Sequence, residues 1–172
     1  MKILILYHSM TGNTEKIARA IYEESKKSGE ADICRIEEAS GMNLHNYRVI
    51  FIGSPCHAGD ISAQVKKWLT DLPEPFPPRI AAFITHASPA YKKEDFQNSL
   101  ASVQKLCSEK NIVYSGSFDC QGFLTPELHD FIRKSRNISE GEWEQMVEKM
   151  TGHPDENDME AARNFCRMIL KS

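Results

Sequence analysis

The chain has 172 residues, 41% of them hydrophobic and 26% charged, a balance that excludes a disordered segment and provides enough apolar mass for one buried core. Its 21 basic and 24 acidic side chains leave a formal net charge of −3, too mild to draw nucleic acid or an anionic membrane by bulk electrostatics. Five scattered cysteines with no CxxC pair (Cys34, Cys56, Cys107, Cys120 and Cys166) fit neither a disulfide framework nor a zinc site, which predicts reduced thiols in a cytoplasmic protein.

In chain order, the apolar run Lys2–Tyr7 predicts a first strand; it is too short for a signal-peptide core or a membrane span. Thr14–Ser28 follows with Ile17, Ala18 and Ile21 at helical spacing. Ala31–Ile36 and Val49–Gly53 predict the second and third strands. Asp60–Leu72 predicts a helix through Ile61, Val65, Trp68, Leu69 and Leu72, with Asp60 as its N-cap. Four prolines within 73–78 make a stiff connector before the fourth strand, Arg79–Ile84. Lys92–Lys110 is helical through Phe96, Leu100, Val103 and Cys107, and Ile112–Asp119 is the fifth strand. The segment Thr125–His153 reads as an excursion of one or two helices whose Trp143, Met146, Val147 and Met150 mark an apolar face; Glu156–Lys171 is the last helix.

Alternating strands and helices favour right-handed βαβ units, and strands with near-continuous apolar runs favour a parallel sheet covered on both faces. The expected fold is α/β: a doubly wound three-layer sandwich on a five-stranded parallel sheet, with residues 1–172 forming a single domain. A ligand would then lie beyond the carboxyl ends of the strands, in the loops after strands one, three and four.

The first of these loops reads His8-Ser9-Met10-Thr11-Gly12-Asn13-Thr14. A helix N-terminus offers unpaired N–H groups and a positive dipole end, the hydroxyls of Ser9, Thr11 and Thr14 add donors, and Gly12 permits close backbone approach. The GxxxxGK[ST] pattern of a triphosphate loop and the GxGxxG pattern of a dinucleotide loop are both absent. No lysine or arginine precedes Lys16 in this loop. The cup suits one phosphate monoester; the alternative is that Ser, Thr and Asn only cap the helix.

The motif Ser9-Met10-Thr11-Gly12-Asn13-Thr14 resembles the phosphate loop of the flavodoxin family, Thr/Ser-x-Thr-Gly-x-Thr in the same strand–loop–helix setting. The resemblance covers the chain outside the Thr125–His153 excursion and implies a flavodoxin-like sheet of strand order 2-1-3-4-5. It implies that Ser9 to Thr14 hold the phosphate of FMN. It also implies that Pro55, Cys56, His57, Ala58 and Gly59 lie against the flavin ring, and that Thr85, His86, Ala87, Ser88 and Tyr91 meet its edge and outer face. His57 stands where an aromatic residue is common in the family; a histidine cation there would favour reduced flavin and raise the potential. Ala58 stands where glycine is common, before Gly59 at an expected positive φ.

FMN carries the redox chemistry itself, so no side chain is expected to act as a catalytic acid or base. The remaining histidines, His8, His45, His129 and His153, show no metal-ligand spacing. The leading expectation is an electron-transfer flavoprotein working with redox protein partners, with neither nucleic acid nor membrane involved. Mild overall acidity, and Lys66, Lys67, Lys92 and Lys93 beside the flavin loops, depart from the strongly acidic family pattern. The alternative is an NAD(P)H-dependent reductase of quinones, free flavin or ferric chelates, with the Trp143 segment completing an oligomer interface. A flavin-free domain of the same fold is the third reading, which the intact phosphate loop opposes.

Overall fold

A computed structural model describes residues 2–87 and 93–172. Six strands form around a parallel core: β1 (Lys2–Tyr7), β2 (Glu30–Arg35), β3 (Val49–His57), β4 (Asp60–Ile61), β5 (Arg79–His86) and β6 (Tyr114–Gln121). The helices are α1 (Asn13–Ser25), α2 (Ala63–Thr70), α3 (Lys93–Glu109), α4 (Pro126–Ser135), α5 (Glu140–Met150) and α6 (Glu156–Lys171), with 3₁₀ turns at Ile36–Glu38 and Leu44–Asn46.

Five strands pair in parallel in the order β2-β1-β3-β5-β6, which is the predicted order of the five long strands. Alternation along each strand divides the core in two. Ile3, Ile5, Val49, Phe51, Ala81 and Phe83 face Ile17, Ala18 and Ile21 of α1 and Ala162, Phe165, Cys166 and Ile169 of α6. Leu4, Leu6, Ile50, Ile52, Ile80, Ala82 and Ile84 face Val65 and Leu69 of α2 and Val103 and Cys107 of α3. This is the expected doubly wound sandwich.

The structure departs from the sequence reading around the third strand. β3 continues through Ser54, Pro55 and Cys56 to His57, and the short β4 runs back antiparallel to it, pairing Cys56 with Ile61 and His57 with Asp60. Ala58 (φ 51) and Gly59 (φ 85) form the connection, with both central residues at positive φ as a two-residue type I′ hairpin requires. Asp60 is therefore in a strand, and the N-cap of α2 is Ser62, whose hydroxyl accepts from Val65 N at 3.3 Å. The apolar spacing of 61–72 was read as helix from its start because two hairpin residues are too few to leave a period.

The 125–153 excursion is two helices. α5 buries Trp143, Met146 and Met150, whereas α4 buries no residue completely. Trp143 packs edge-on against His129 of α4, ring centroids 5.2 Å apart. It joins the two helices of its own chain. All five cysteines are free, and among the described residues no helix is long and apolar enough to cross a membrane.

Candidate functional site

At the carboxyl ends of β1, β3, β5 and β6 lies an open cleft, where a doubly wound sheet places its ligand. Eleven of the predicted residues line it: Ser9, Met10, Thr11, Asn13, Thr14, Pro55, Cys56, His57, Thr85, His86 and Ala87. Gly12, Ala58 and Gly59 act from behind through their backbone conformations. Ser88 and Tyr91 lie outside the described residues.

The loop before α1 does not end in a side-chain cap. Gly12 occupies the N-cap position at φ 90, and no side chain caps the helix there. The Ser9 hydroxyl accepts from Gly12 N at 3.1 Å, which leaves its own proton free to donate. The first-turn N–H groups that a cap would satisfy remain for a ligand. The open space around Gly12 would admit a Cβ, so its positive φ is what requires glycine.

Two tertiary links shape the cradle. Thr14 Oγ1 and Thr85 Oγ1 lie 2.8 Å apart, both side chains buried, joining α1 to the end of β5. One proton of the pair makes that bond and the other stays available to a ligand. Asn13, expected to bind the cofactor, turns its Nδ2 to Phe123 O at 2.8 Å and to Thr11 Oγ1 at 3.3 Å. It thus fastens the loop after β6 to the cradle.

That loop is the wall the sequence reading missed. Gly122, Phe123, Leu124, Thr125 and Leu128 line the cleft opposite the hairpin. The signal available was a glycine and two apolar residues directly after the fifth strand, at the ligand end of the sheet. Gly122 has no room for a side chain: a Cβ would stand 2.9 Å from Cγ and Nδ2 of Asn13. Gly122→Ala is therefore expected to dislodge Asn13 and break its bond to Phe123, costing about 1 kcal/mol and weakening flavin binding several-fold. Denaturant midpoints and flavin-fluorescence titration check this.

The charges near the cradle also came from elsewhere in the sequence. Lys16 is spent on Pro154 O at 2.6 Å. Arg35, at the end of β2, donates through Nη2 to Ser9 O, lies over the Tyr7 ring at 5.7 Å and approaches Glu15 at 3.5 Å. Because the peptide is planar and trans, holding the Ser9 carbonyl on this side turns the Met10 N–H to the opposite side. The guanidinium also places positive charge behind the loop.

His57 is pushed below the usual histidine range, by burial first and by neighbouring His8 second. That shift works against the cationic effect on the flavin expected of it. His86 stacks on Phe96, with centroids 4.2 Å apart and planes 9° apart, and its Nε2 lies 3.2 Å from Asp119. Cys56 receives the Ser99 hydroxyl at 3.2 Å. Beside the first turns of α1, where Lys16 reaches Pro154 O, the ligating atoms of His153, Asp155 and Asp158 come within 4.8 Å of one another, a grouping their spacing did not reveal. Asp155 and Asp158 there form the capping box of α6.

A family model described as "Flavodoxin domain" matches residues 4–167. The chain is 31% identical over 180 residues to the "Flavodoxin-like domain-containing protein BilS" of Clostridioides difficile, covering 100% of this chain and 98% of the relative. Among solved structures, oxidised Flavodoxin 2 from Bacillus cereus superposes with a TM-score of 0.67 at 20% identity, covering 99% of each chain. A flavoprotein in complex with FMN from Lactobacillus acidophilus superposes with a TM-score of 0.56 at 20% identity, covering 69% of this chain and 92% of that one.

Proposed function

Because the chain belongs to the flavodoxin-domain family, whose cofactor is FMN, we propose that the cleft is its FMN site and that the protein transfers electrons between redox protein partners. The observation that carries this reading is the start of α1, left without a side-chain cap behind the Ser9–Thr14 loop. A side-chain cap would take one of the four first-turn donors that a phosphate can use.

In this reading the Ser9, Thr11 and Thr14–Thr85 hydroxyls and the first-turn amides of α1 hold the phosphate. The β3–β4 hairpin and the end of β5 flank the ring, and the Gly122–Leu128 wall shields it from water. FMN, when bound, supplies one- and two-electron chemistry. The protein fixes its position and the charge around it, with Arg35 adding to the positive end of the helix dipole.

A purified sample should be yellow or turn yellow with added FMN. Thr11→Ala should weaken FMN by about 1.5–3 kcal/mol, the range for hydrogen bonds to charged groups, and leave riboflavin, which lacks the phosphate, unchanged. Equal weakening of both flavins in fluorescence titrations would move the phosphate away from this loop.

One observation favours a second reading, an NAD(P)H-dependent reductase of quinones, free flavin or ferric chelates. The missed wall is largely apolar, and Met10 and Leu128 at the cleft are exposed, which suits a flat small acceptor. Anaerobic mixing separates the two readings: bleaching of bound flavin by NADH or NADPH at catalytic rates selects the reductase, and its absence selects the carrier.

A further inference from the structure

α4 carries apolar side chains that its own fold leaves in water. Leu128 is 42% exposed and Phe131 67%. At i and i+3 on a helix, the two are neighbours on one face. The other face of α4 holds the helix in place: the His129 ring meets Phe123 and Trp143 edge-on, and its Nε2 lies 2.8 Å from Leu124 O. Leu128 also lines the cleft, as does Met10 at 75% exposure, so the apolar surface continues to the cleft mouth. Exposed apolar side chains grouped in this way, and not scattered singly, mark a surface that meets something.

The charges on that face decide what fits it. Glu127 stands in the first turn of α4 and Lys134 in the last. They are nearly two full turns apart, and so lie on the same side of the helix, with Phe131 between them. Asp130 and Arg133 pair with each other at 3.9 Å, whereas Glu127 and Lys134 have no ion-pair partner among the described residues. A membrane surface would call for a basic rim around the apolar side chains. A partner of one charge sign would be drawn to one end of α4 and repelled at the other. A second copy of the chain, turned end for end by a twofold axis beside Phe131, satisfies both ends at once. Glu127 then faces Lys134 of the second copy, Lys134 faces its Glu127, and the two Phe131 rings meet at the centre. Such self-complementarity is what a twofold interface requires.

We propose that α4 is the contact face of a twofold-symmetric dimer of this chain, in which antiparallel α4 helices pack through Leu128 and Phe131 and are held in register by Glu127 and Lys134. The interface lies on α4 and not on Trp143, whose ring is turned inward to His129. Because Leu128 lines the cleft, the second copy rests against the wall made by the segment after β6. A single helix face is small beside the standard interface of about 1,600 Å², so the dimer is weak and its population follows protein concentration. Nothing in this pairing depends on the ligand of the cleft.

Sedimentation equilibrium of the full chain, from micromolar to near-millimolar concentration, should show monomer and dimer in exchange. Phe131→Ser changes an exposed side chain, so circular dichroism and the denaturant midpoint should stay near wild type while the dimer weakens at least roughly tenfold. Glu127→Lys and Lys134→Glu each set like charges against each other at both symmetric contacts, and each should weaken the dimer roughly 3- to 30-fold. An equimolar mixture of these two variants should regain it as a heterodimer, because both contacts are again of opposite sign. The variant carrying both reversals should regain it alone. A wild type that is monomeric at every concentration overturns the proposal. So does a dimer indifferent to Phe131→Ser, or one weakened by the single reversals and not restored in their mixture.

Discussion

Gly53→Ala is expected to destabilise the protein by about 1–3 kcal/mol or more, the cost of forcing extra volume into a packed core. Gly53 pairs directly with Phe83 in the β3–β5 register. A Cβ there would stand 2.2 Å from Cζ and 2.3 Å from Cε2 of the Phe83 ring. That ring is fully buried and rigid, so it cannot swing aside as a long flexible side chain would. Gly53 also lies two residues before the cleft-lining Pro55, and its carbonyl receives the His8 N–H. The lost stability should therefore come with weaker flavin binding. Denaturant titration reads the first effect and fluorescence titration the second. A cycle with Phe83→Leu isolates the cause: the smaller side chain should relieve part of the Gly53→Ala penalty, and strictly additive costs would exclude the ring contact.

Thr14→Val and Thr85→Val should each cost about 1–3 kcal/mol of stability, because each leaves the other hydroxyl buried without a partner. The double variant removes both polar groups from an apolar site of the same shape, so its stability should return nearly to wild type. Its FMN affinity should not return. The pair's second proton would be gone, and FMN should bind roughly 5- to 150-fold more weakly, equivalent to about 1–3 kcal/mol, with riboflavin unaffected. A double variant that is stable and still binds FMN normally would confine this pair to a structural role. Because the two readouts diverge only in the double variant, it separates the hydroxyls' part in folding from their part in binding.

Both predictions concern contacts between segments distant in the chain, and this is where the sequence reading fell short. The phosphate loop was legible because strand, loop and helix follow one another within a few residues, so residue types and local backbone geometry carry the whole signal. The same holds for the glycine at positive φ in the hairpin turn. The hairpin itself was not legible. Pro55, Cys56 and His57 look like loop residues; pairing of Pro55 with Thr85, of Cys56 with Ile61 and of His57 with Asp60 holds them extended.

The sequence by itself determined the layering of a parallel sheet and the hydroxyl-rich loop that starts α1, because hydrophobic period and residue type are properties of contiguous residues. The tertiary structure alone decided the rest. It bonded Thr14 to Thr85 and brought Arg35 and Glu37 to the back of the cradle. It fastened Phe123 to Asn13 across 110 positions, making the segment after β6 a wall of the cleft. Each depends on which side chains the crossovers bring to one end of the sheet. That is a matter of three-dimensional register, for which a local residue pattern holds no record.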